Sequence, residues 1–247
     1  MANCPATVLP MTDPSAPRPA SADTEIDKER HFGGEGVVVE REIRRIDLSN
    51  YDERFEQIAD EIWAAATDVG FFQVEQHGIE QTRIDEAFER TADFFDLEAT
   101  KKARWPLRPG TNAGWEFRTQ VRPSTGTQDQ KESYQITMPR MEEGDLWPTE
   151  EELPGFRSFM TEFQAENREL GMQILRCFAH RLGFPVDFFT ERHDPTDPGY
   201  QSTLRLLHYL PMSDVPTDDS PTGTGEDYWR AGAHTDYDCL TLLHQRP

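Results

Sequence analysis

The sequence predicts an α+β protein in which a small mixed region and one long helix precede a strand-rich segment. Three observations lead to this prediction. Short β-prone runs alternate with amphipathic helical patterns in the first third of the chain. One helical pattern then continues for about seven turns across residues 156–182. Beyond residue 202 the sequence changes to short apolar runs that are separated by a polar loop.

The first elements follow from local patterns. Residues 37–39 and 43–48 are short β-prone runs and predict two strands. Apolar residues then recur at helical spacing across residues 55–69, which predicts an amphipathic helix. Asn50, followed by Glu53 three residues later, predicts the cap of this helix.

The next elements complete this region and lead to the strand-rich part. Residues 71–76 predict another strand, and the apolar spacing across 84–95 predicts a second helix. Residues 100–150 are dense in Pro, Gly and Arg and are expected to be mostly irregular. The later strands are predicted at residues 133–138, at residues 204–209 and within residues 233–243.

Composition and charge exclude several classes of protein. Asp and Glu total 46 against 25 Lys and Arg, which gives a net charge of -21 and argues against a nucleic-acid partner. No apolar run reaches the ~20 residues that a bilayer crossing needs. Three widely spaced Cys and a start without a secretory signal predict a reduced, cytoplasmic protein. The scarcity of Lys fits a salt-adapted (halophilic) organism, or an ordinary acidic protein from a GC-rich genome.

The only His-x-Asp triplet in the chain is His234-Thr235-Asp236. On a strand, residues i and i+2 share a face, so the imidazole and the carboxylate can reach one metal ion. Two such ligands and a distant His form the facial triad of non-haem Fe(II) oxygenases. Taken alone, the triplet favours a strand-end His beside a solvated Asp over a metal site. The choice between these two interpretations depends on the surrounding sequence.

That sequence resembles the metal-binding strand of the isopenicillin N synthase-like 2-oxoglutarate/Fe(II) dioxygenases. A Gly precedes the His-Thr-Asp, and a Leu-Thr-Leu-Leu run follows it. Four further stretches resemble the same family, in the same order along the chain. They are Val-Gly-Phe-Phe-Gln-Val with His-Gly-Ile at 69–79, Phe94-Phe95 with Lys101, Lys131-Glu132-Ser133-Tyr134, and Leu-Arg-Leu-Leu-His-Tyr-Leu-Pro at 204–211.

The resemblance implies a double-stranded β-helix (jelly-roll) core that is incomplete in this chain. It implies an N-terminal α/β region over residues 37–150 and a supporting helix and loop over 151–198. Residues 199–247 would then form the first part of the jelly roll. Residues 1–36, rich in Pro, Ser, Ala and Gly, predict a disordered tail.

The resemblance also implies the site residues. His234 and Asp236 would be two of the three Fe(II) ligands, and Tyr209 would contact a carboxylate of 2-oxoglutarate. Leu207 stands where many members have Asn, which removes one polar contact. The third His and the Arg-x-Ser of the family would lie beyond residue 247, and His244 follows His234 too closely to replace that third ligand.

The expected function is an Fe(II)- and 2-oxoglutarate-dependent oxygenase that uses O2 to oxidise a C–H bond of a small molecule. Hydroxylation, desaturation and ring closure are all open, and no catalytic residue is expected beyond the metal site. We expect a monomer without a nucleic-acid or membrane partner. Two alternatives stay open: a truncated, non-catalytic fragment that lacks the third iron ligand, or a family oxidase that does not use 2-oxoglutarate.

Overall fold

The computed structural model describes residues 40–120, 128–211 and 239–246. Helices and strands both occur in these ranges, which confirms the predicted α+β class. In chain order the elements are β1 (Arg44–Asp47), α1 (Phe55–Asp68), β2 (Phe72–Glu75), α2 (Gln81–Phe95), α3 (Ala99–Lys102), β3 (Gly114–Phe117), β4 (Lys131–Ile136), α4 (Arg140–Glu143), α5 (Phe156–Arg181), a 3-10 turn (Thr190–Arg192) and β5 (Leu204–Tyr209).

A two-stranded parallel sheet lies at the N-terminal end of the described chain. Ile46 of β1 pairs with Val74 of β2, and α1 provides the crossover that a parallel pair requires. The apolar face of α1 packs onto this sheet, because Ile58 and Ile62 are fully buried beside Ile46. The strands predicted at 43–48 and 71–76 and the helix predicted at 55–69 are therefore confirmed, whereas the strand predicted at 37–39 lies outside the described residues.

The second sheet has three antiparallel strands in the order β3-β4-β5, with β4 in the centre. Tyr134 of β4 is fully buried, and its ring stacks on Phe94 of α2 at a centroid distance of 4.1 Å. Its hydroxyl donates a hydrogen bond to the carbonyl oxygen of Leu146 at 2.6 Å. Tyr134 thus fixes the sheet to the helical layer at the middle of the core.

Helix α5, predicted from its long apolar period, is shared by two hydrophobic clusters. Phe156 and Met160 in its first half pack with the residues around Tyr134. Leu170 and Ile174 in its second half pack with the apolar face of α1. The helix therefore supports both sheets.

Three local predictions differ from the structure. Arg54, not Asn50, is the residue before α1, and no side-chain hydrogen bond caps the helix. Asn50 lies in the preceding turn with a φ of 52°. Its carbonyl oxygen accepts a hydrogen bond from the Arg54 N–H. Strand β3 was not predicted, because the buried, charged Glu116 hides the alternation of its four residues. Strand β4 begins at Lys131, two residues before the predicted start, because Lys131 still pairs with Tyr209.

Residues 240–246 have no regular secondary structure. The prediction of a strand within 233–243 is therefore wrong for residues 240–243, and residues 233–238 lie outside the described residues. This segment instead packs against the helices: Leu240 and Leu242 join the cluster beneath α1, and Arg246 forms an ion pair with Asp85 of α2 at 2.9 Å. Residues 1–39 and 212–238, with the predicted tail and the polar loop, lie outside the described residues. Within the described ranges, no helix is long and apolar enough to cross a membrane.

Candidate functional site

The three-stranded sheet has one apolar and one polar face, because successive side chains on a strand point to opposite sides. The apolar face carries Tyr134 and Leu206 and packs on the helices. The opposite face carries Ser133 and Gln135 of β4. Both of these polar side chains are buried, so the centre of the polar face is shielded from solvent. A buried polar sheet face is a suitable place for a small-molecule site.

Tyr209 stands at the end of β5 on this polar face, opposite Lys131 in the register. Its side chain is 40% exposed, and among the described residues its hydroxyl has no hydrogen-bond partner. Leu207 lies two residues earlier on the same face. The residue predicted to contact 2-oxoglutarate is thus a phenol that the described residues leave available to donate to a carboxylate, with an apolar neighbour.

A buried carboxylate organises the centre of the polar face. Oε1 of Glu116 accepts hydrogen bonds from Ser133 at 2.6 Å, Gln135 at 2.9 Å and Arg205 at 2.8 Å. Its Oε2 accepts a bond from Thr119. Burial alone would raise the pKa of Glu116, but the bonds from Ser133 and Thr119 and the charge of Arg205 outweigh it and lower that pKa below its usual value.

A second charged cluster lies on the apolar side, beneath the end of β5. The Lys102 ammonium donates to Glu132 at 2.8 Å and to the carbonyl oxygen of Phe95 at 2.7 Å. Glu132 also accepts from Trp115 Nε1 at 2.7 Å and pairs with Nδ1 of His208 at 2.9 Å. His208 therefore contacts a structural carboxylate on the face opposite Tyr209.

Lys131 and Glu132, neighbours in the sequence, lie on opposite faces of β4. Lys131 pairs with Asp129 at 3.1 Å, whereas Glu132 pairs with Lys102. Lys101, which the family resemblance singled out, is exposed, and its neighbour Lys102 is buried.

His234 and Asp236, the predicted Fe(II) ligands, lie outside the described residues. Among the residues that are described, no group of three His, Cys, Asp or Glu side chains could hold a metal ion. Nε2 of His244 lies 2.7 Å from Oδ1 of Asn167 in α5, and burial, with the charge of nearby His77, lowers the pKa of His244. That His244 is not an iron ligand stays a prediction.

Sequence reasoning missed Glu116 and Arg205 as site residues. The residues are 89 positions apart, so no local pattern links them. The available signal was Arg205 itself, which stands two and four residues before Leu207 and Tyr209 and therefore on their face of the predicted strand.

Comparison with known proteins supports the family that the sequence resembles. Residues 43–152 match the family model of the non-haem dioxygenase in morphine synthesis N-terminal region. The proline hydroxylase buaE of Petromyces alliaceus is 32% identical over 217 residues, which cover 83% of this chain and 64% of that protein. The 2-oxoglutarate-dependent dioxygenase htyE of Aspergillus rugulosus is 30% identical over 191 residues, covering 71% of this chain and 54% of that protein.

A solved structure agrees with these matches. Full-length Neurospora crassa T7H in complex with alpha-KG superposes with a TM-score of 0.57 and 29% identity, covering 68% of this chain and 54% of that chain. The chain spans about half to two thirds of the length of the relatives that it matches. With the family model and these relatives in agreement, the chain belongs to the family of 2-oxoglutarate- and Fe(II)-dependent oxygenases.

Proposed function

We propose that the complete protein is an Fe(II)- and 2-oxoglutarate-dependent oxygenase that oxidises a C–H bond of a small molecule. The observation that carries the proposal is Tyr209: a phenol with no hydrogen-bond partner among the described residues stands on the polar sheet face, at the position where the family resemblance expects the cosubstrate contact. The relatives' names support a small-molecule substrate, since they include a proline hydroxylase.

We further propose that β5 is the first strand of a jelly roll, that β3 and β4 of the N-terminal region extend its sheet, and that the polar face is the inner face. In this arrangement residues 37–150 are the N-terminal region, 151–198 the supporting helix and loop, and 199–247 the first part of the barrel. Burial of Ser133 and Gln135 on that face supports the proposal, because an inner barrel face is shielded from solvent. A cytoplasmic monomer remains our prediction.

The donor set fits ferrous iron. His234 and Asp236 would supply an imidazole and a carboxylate, the ligand types of the facial triad, with a further His to complete it. When bound, Fe(II) with 2-oxoglutarate supplies the activation of O2, and CO2 and succinate are the co-products.

The protein's own residues then bind and orient. The Tyr209 hydroxyl donates a hydrogen bond to a cosubstrate carboxylate, which fixes the keto acid against the sheet. Leu207 contributes an apolar wall beside it and adds no competing donor. The buried centre of the polar face, around Ser133 and Gln135, would restrict the access of bulk water to the reacting C–H bond, which limits side reactions.

Succinate formation tests the proposal. Protein made from the complete coding sequence is supplied with Fe(II), O2 and 2-oxoglutarate, and we expect slow substrate-independent turnover. His234→Ala and Asp236→Ala should each reduce the rate to background. His193→Ala is the matched control: among the described residues this imidazole bonds only the Phe189 carbonyl oxygen, four positions away, so the substitution should leave the rate unchanged. Equal rates in the His234→Ala and wild-type proteins would refute the proposal.

One observation favours a second candidate, an oxidase of the same family that does not use 2-oxoglutarate. Leu207 offers no polar contact to the cosubstrate at the position where many members have Asn. The two candidates are separated by measuring O2 uptake with and without 2-oxoglutarate. Uptake that needs no keto acid and yields no succinate would favour the oxidase.

A further inference from the structure

We propose that Asn167 is a positioning residue that sets the register of the chain segment following the predicted metal ligands. The inference rests on the proposed function, because it takes His234 and Asp236 as ligands of Fe(II). Asn167 lies in α5 and acts through His244, which belongs to the described segment 239–246.

Segment 239–246 places alternate side chains against the protein. Leu240, Leu242 and His244 are half-buried, whereas Leu243 between them is 70% exposed. Leu240 and Leu242 pack on the cluster beneath α1. The segment is thus inserted along one face only, as a strand would be, and its position depends on which residues occupy the inward places.

Burial of leucine does not by itself define that register. A slip of the chain by two residues keeps the same face inward. Leu240 would then take the place of Leu242, and Leu242 the place of His244, so that two leucines remain inside. The residue that faces Asn167 distinguishes the two registers, because it is His244 in one and a leucine in the other.

The contact between Asn167 and His244 is directional. The amide nitrogen of Asn167 donates to the carbonyl oxygen of Phe163 at 2.8 Å, which holds the amide group, and Oδ1 lies 2.7 Å from Nε2 of His244. An amide oxygen only accepts, so Nε2 carries the proton. Burial, with the charge of His77, lowers the pKa of His244 and favours its neutral form. A leucine at this place offers no donor, so the slipped register loses the bond.

A single polar pair inside an apolar contact is a well-known way to specify register. The loss of one hydrogen bond disfavours the slipped register by about 2- to 12-fold. The Phe163 ring, with its centroid 5.7 Å from that of the His244 ring, adds packing that is specific for an aromatic side chain.

Register matters for the metal because the ligands are close in the sequence. Only Tyr237 and Asp238 separate Asp236 from segment 239–246. A slip of two residues moves the chain by roughly 7 Å. Metal–ligand distances are defined to about 0.2 Å, so the two registers cannot present the same carboxylate to the ion. Any population of the slipped register therefore lowers the apparent affinity for the metal.

Metal affinity and stability, measured together, test the inference. Protein from the complete coding sequence is titrated with Mn(II), with free Mn(II) followed by EPR, and urea denaturation without metal gives the stability. Asn167→Leu removes the acceptor and His244→Leu the donor, whereas His244→Gln keeps an N–H donor. The control is Tyr51→Phe, which removes a hydroxyl that donates to the Gln173 carbonyl oxygen of the same helix at 2.7 Å.

We expect Asn167→Leu and His244→Leu to raise the Kd for Mn(II) about 2- to 12-fold, and His244→Gln to bind like the wild type. The double variant Asn167→Leu/His244→Leu should regain stability, because no polar group is left unpaired, but not affinity. It also serves if a single variant does not fold. Tyr51→Phe should lower stability and leave the Kd unchanged.

The inference is overturned if Asn167→Leu and His244→Leu bind Mn(II) as tightly as the wild type. It is also overturned if the double variant regains affinity together with stability, or if Tyr51→Phe weakens Mn(II) binding equally, because the role of Asn167 would then be purely structural. Failure of the proposed function would appear differently, as a wild-type protein that neither binds Mn(II) nor forms succinate, and the inference would fail with it.

Discussion

Removal of the charge of Glu132 should destabilise the protein more than removal of any surface charge. The side chains of Lys102 and Glu132 are only 6% and 4% exposed and are 2.8 Å apart. Glu132→Gln leaves the Lys102 ammonium buried without a counter-charge. Breaking one partner of a buried pair in this way costs about 3–5 kcal/mol.

The expected thermal effect follows from the size of the chain. For a protein of this length each kcal/mol shifts Tm by about 2–4 °C, so Glu132→Gln should lower Tm by roughly 6–20 °C. Lys102→Met should have a similar effect, because it leaves the Glu132 carboxylate buried. The double variant should cost less than the sum of the two single variants, since neither charge is then left alone.

Urea denaturation followed by tryptophan fluorescence measures these free energies of unfolding. The control is Glu75→Gln, which breaks the exposed pair between Glu75 and Arg45 and should cost less than about 1 kcal/mol. A Glu132→Gln cost no larger than that of the control would refute the reasoning, and so would costs that simply add in the double variant.

Three further predictions follow from single residues. Tyr209→Phe should raise the KM for 2-oxoglutarate by about 2- to 12-fold, the effect of one neutral hydrogen bond, in a succinate assay. Maleimide should label exposed Cys239 but not buried Cys177, whose thiol pKa is raised by burial; peptide mapping of the native protein checks this. His244 has a folded pKa lowered by burial, so its contribution to stability is full above about pH 6.5 and is lost as the pH falls below that value. Urea midpoints across pH 5–8 should therefore depend less on pH in His244→Gln; an unchanged profile would contradict the assignment.

The regular elements of this chain were predictable because burial imposes a period on them. Helix α5 places apolar residues on one stripe over its whole length, and β5 was predicted with the bounds that the structure has. Strand β3 lacks such a signal, because its four residues include the buried, charged Glu116. A charge at a buried position hides the alternation that would reveal the strand.

The contacts of the site depended on tertiary pairing and could not be predicted from local patterns. Lys101 and Lys102 are equivalent in the sequence, and only the direction of α3 decides that the second is buried against Glu132. Glu116 meets Arg205 because β3 and β5 flank the same strand. By contrast, the role of Tyr209 was predicted through the family resemblance, and its contact with the cosubstrate stays a prediction.

The sharing of α5 between two clusters has a consequence for how the protein unfolds. Neither sheet has a hydrophobic core of its own, since each is completed by side chains from one half of the same helix. If one sheet opens, the helix loses the packing that holds it against the other. Amide protons in the middle of α5 should therefore exchange with solvent only when the whole unit unfolds, at the global free energy. The two sheets behave as a single cooperative unit.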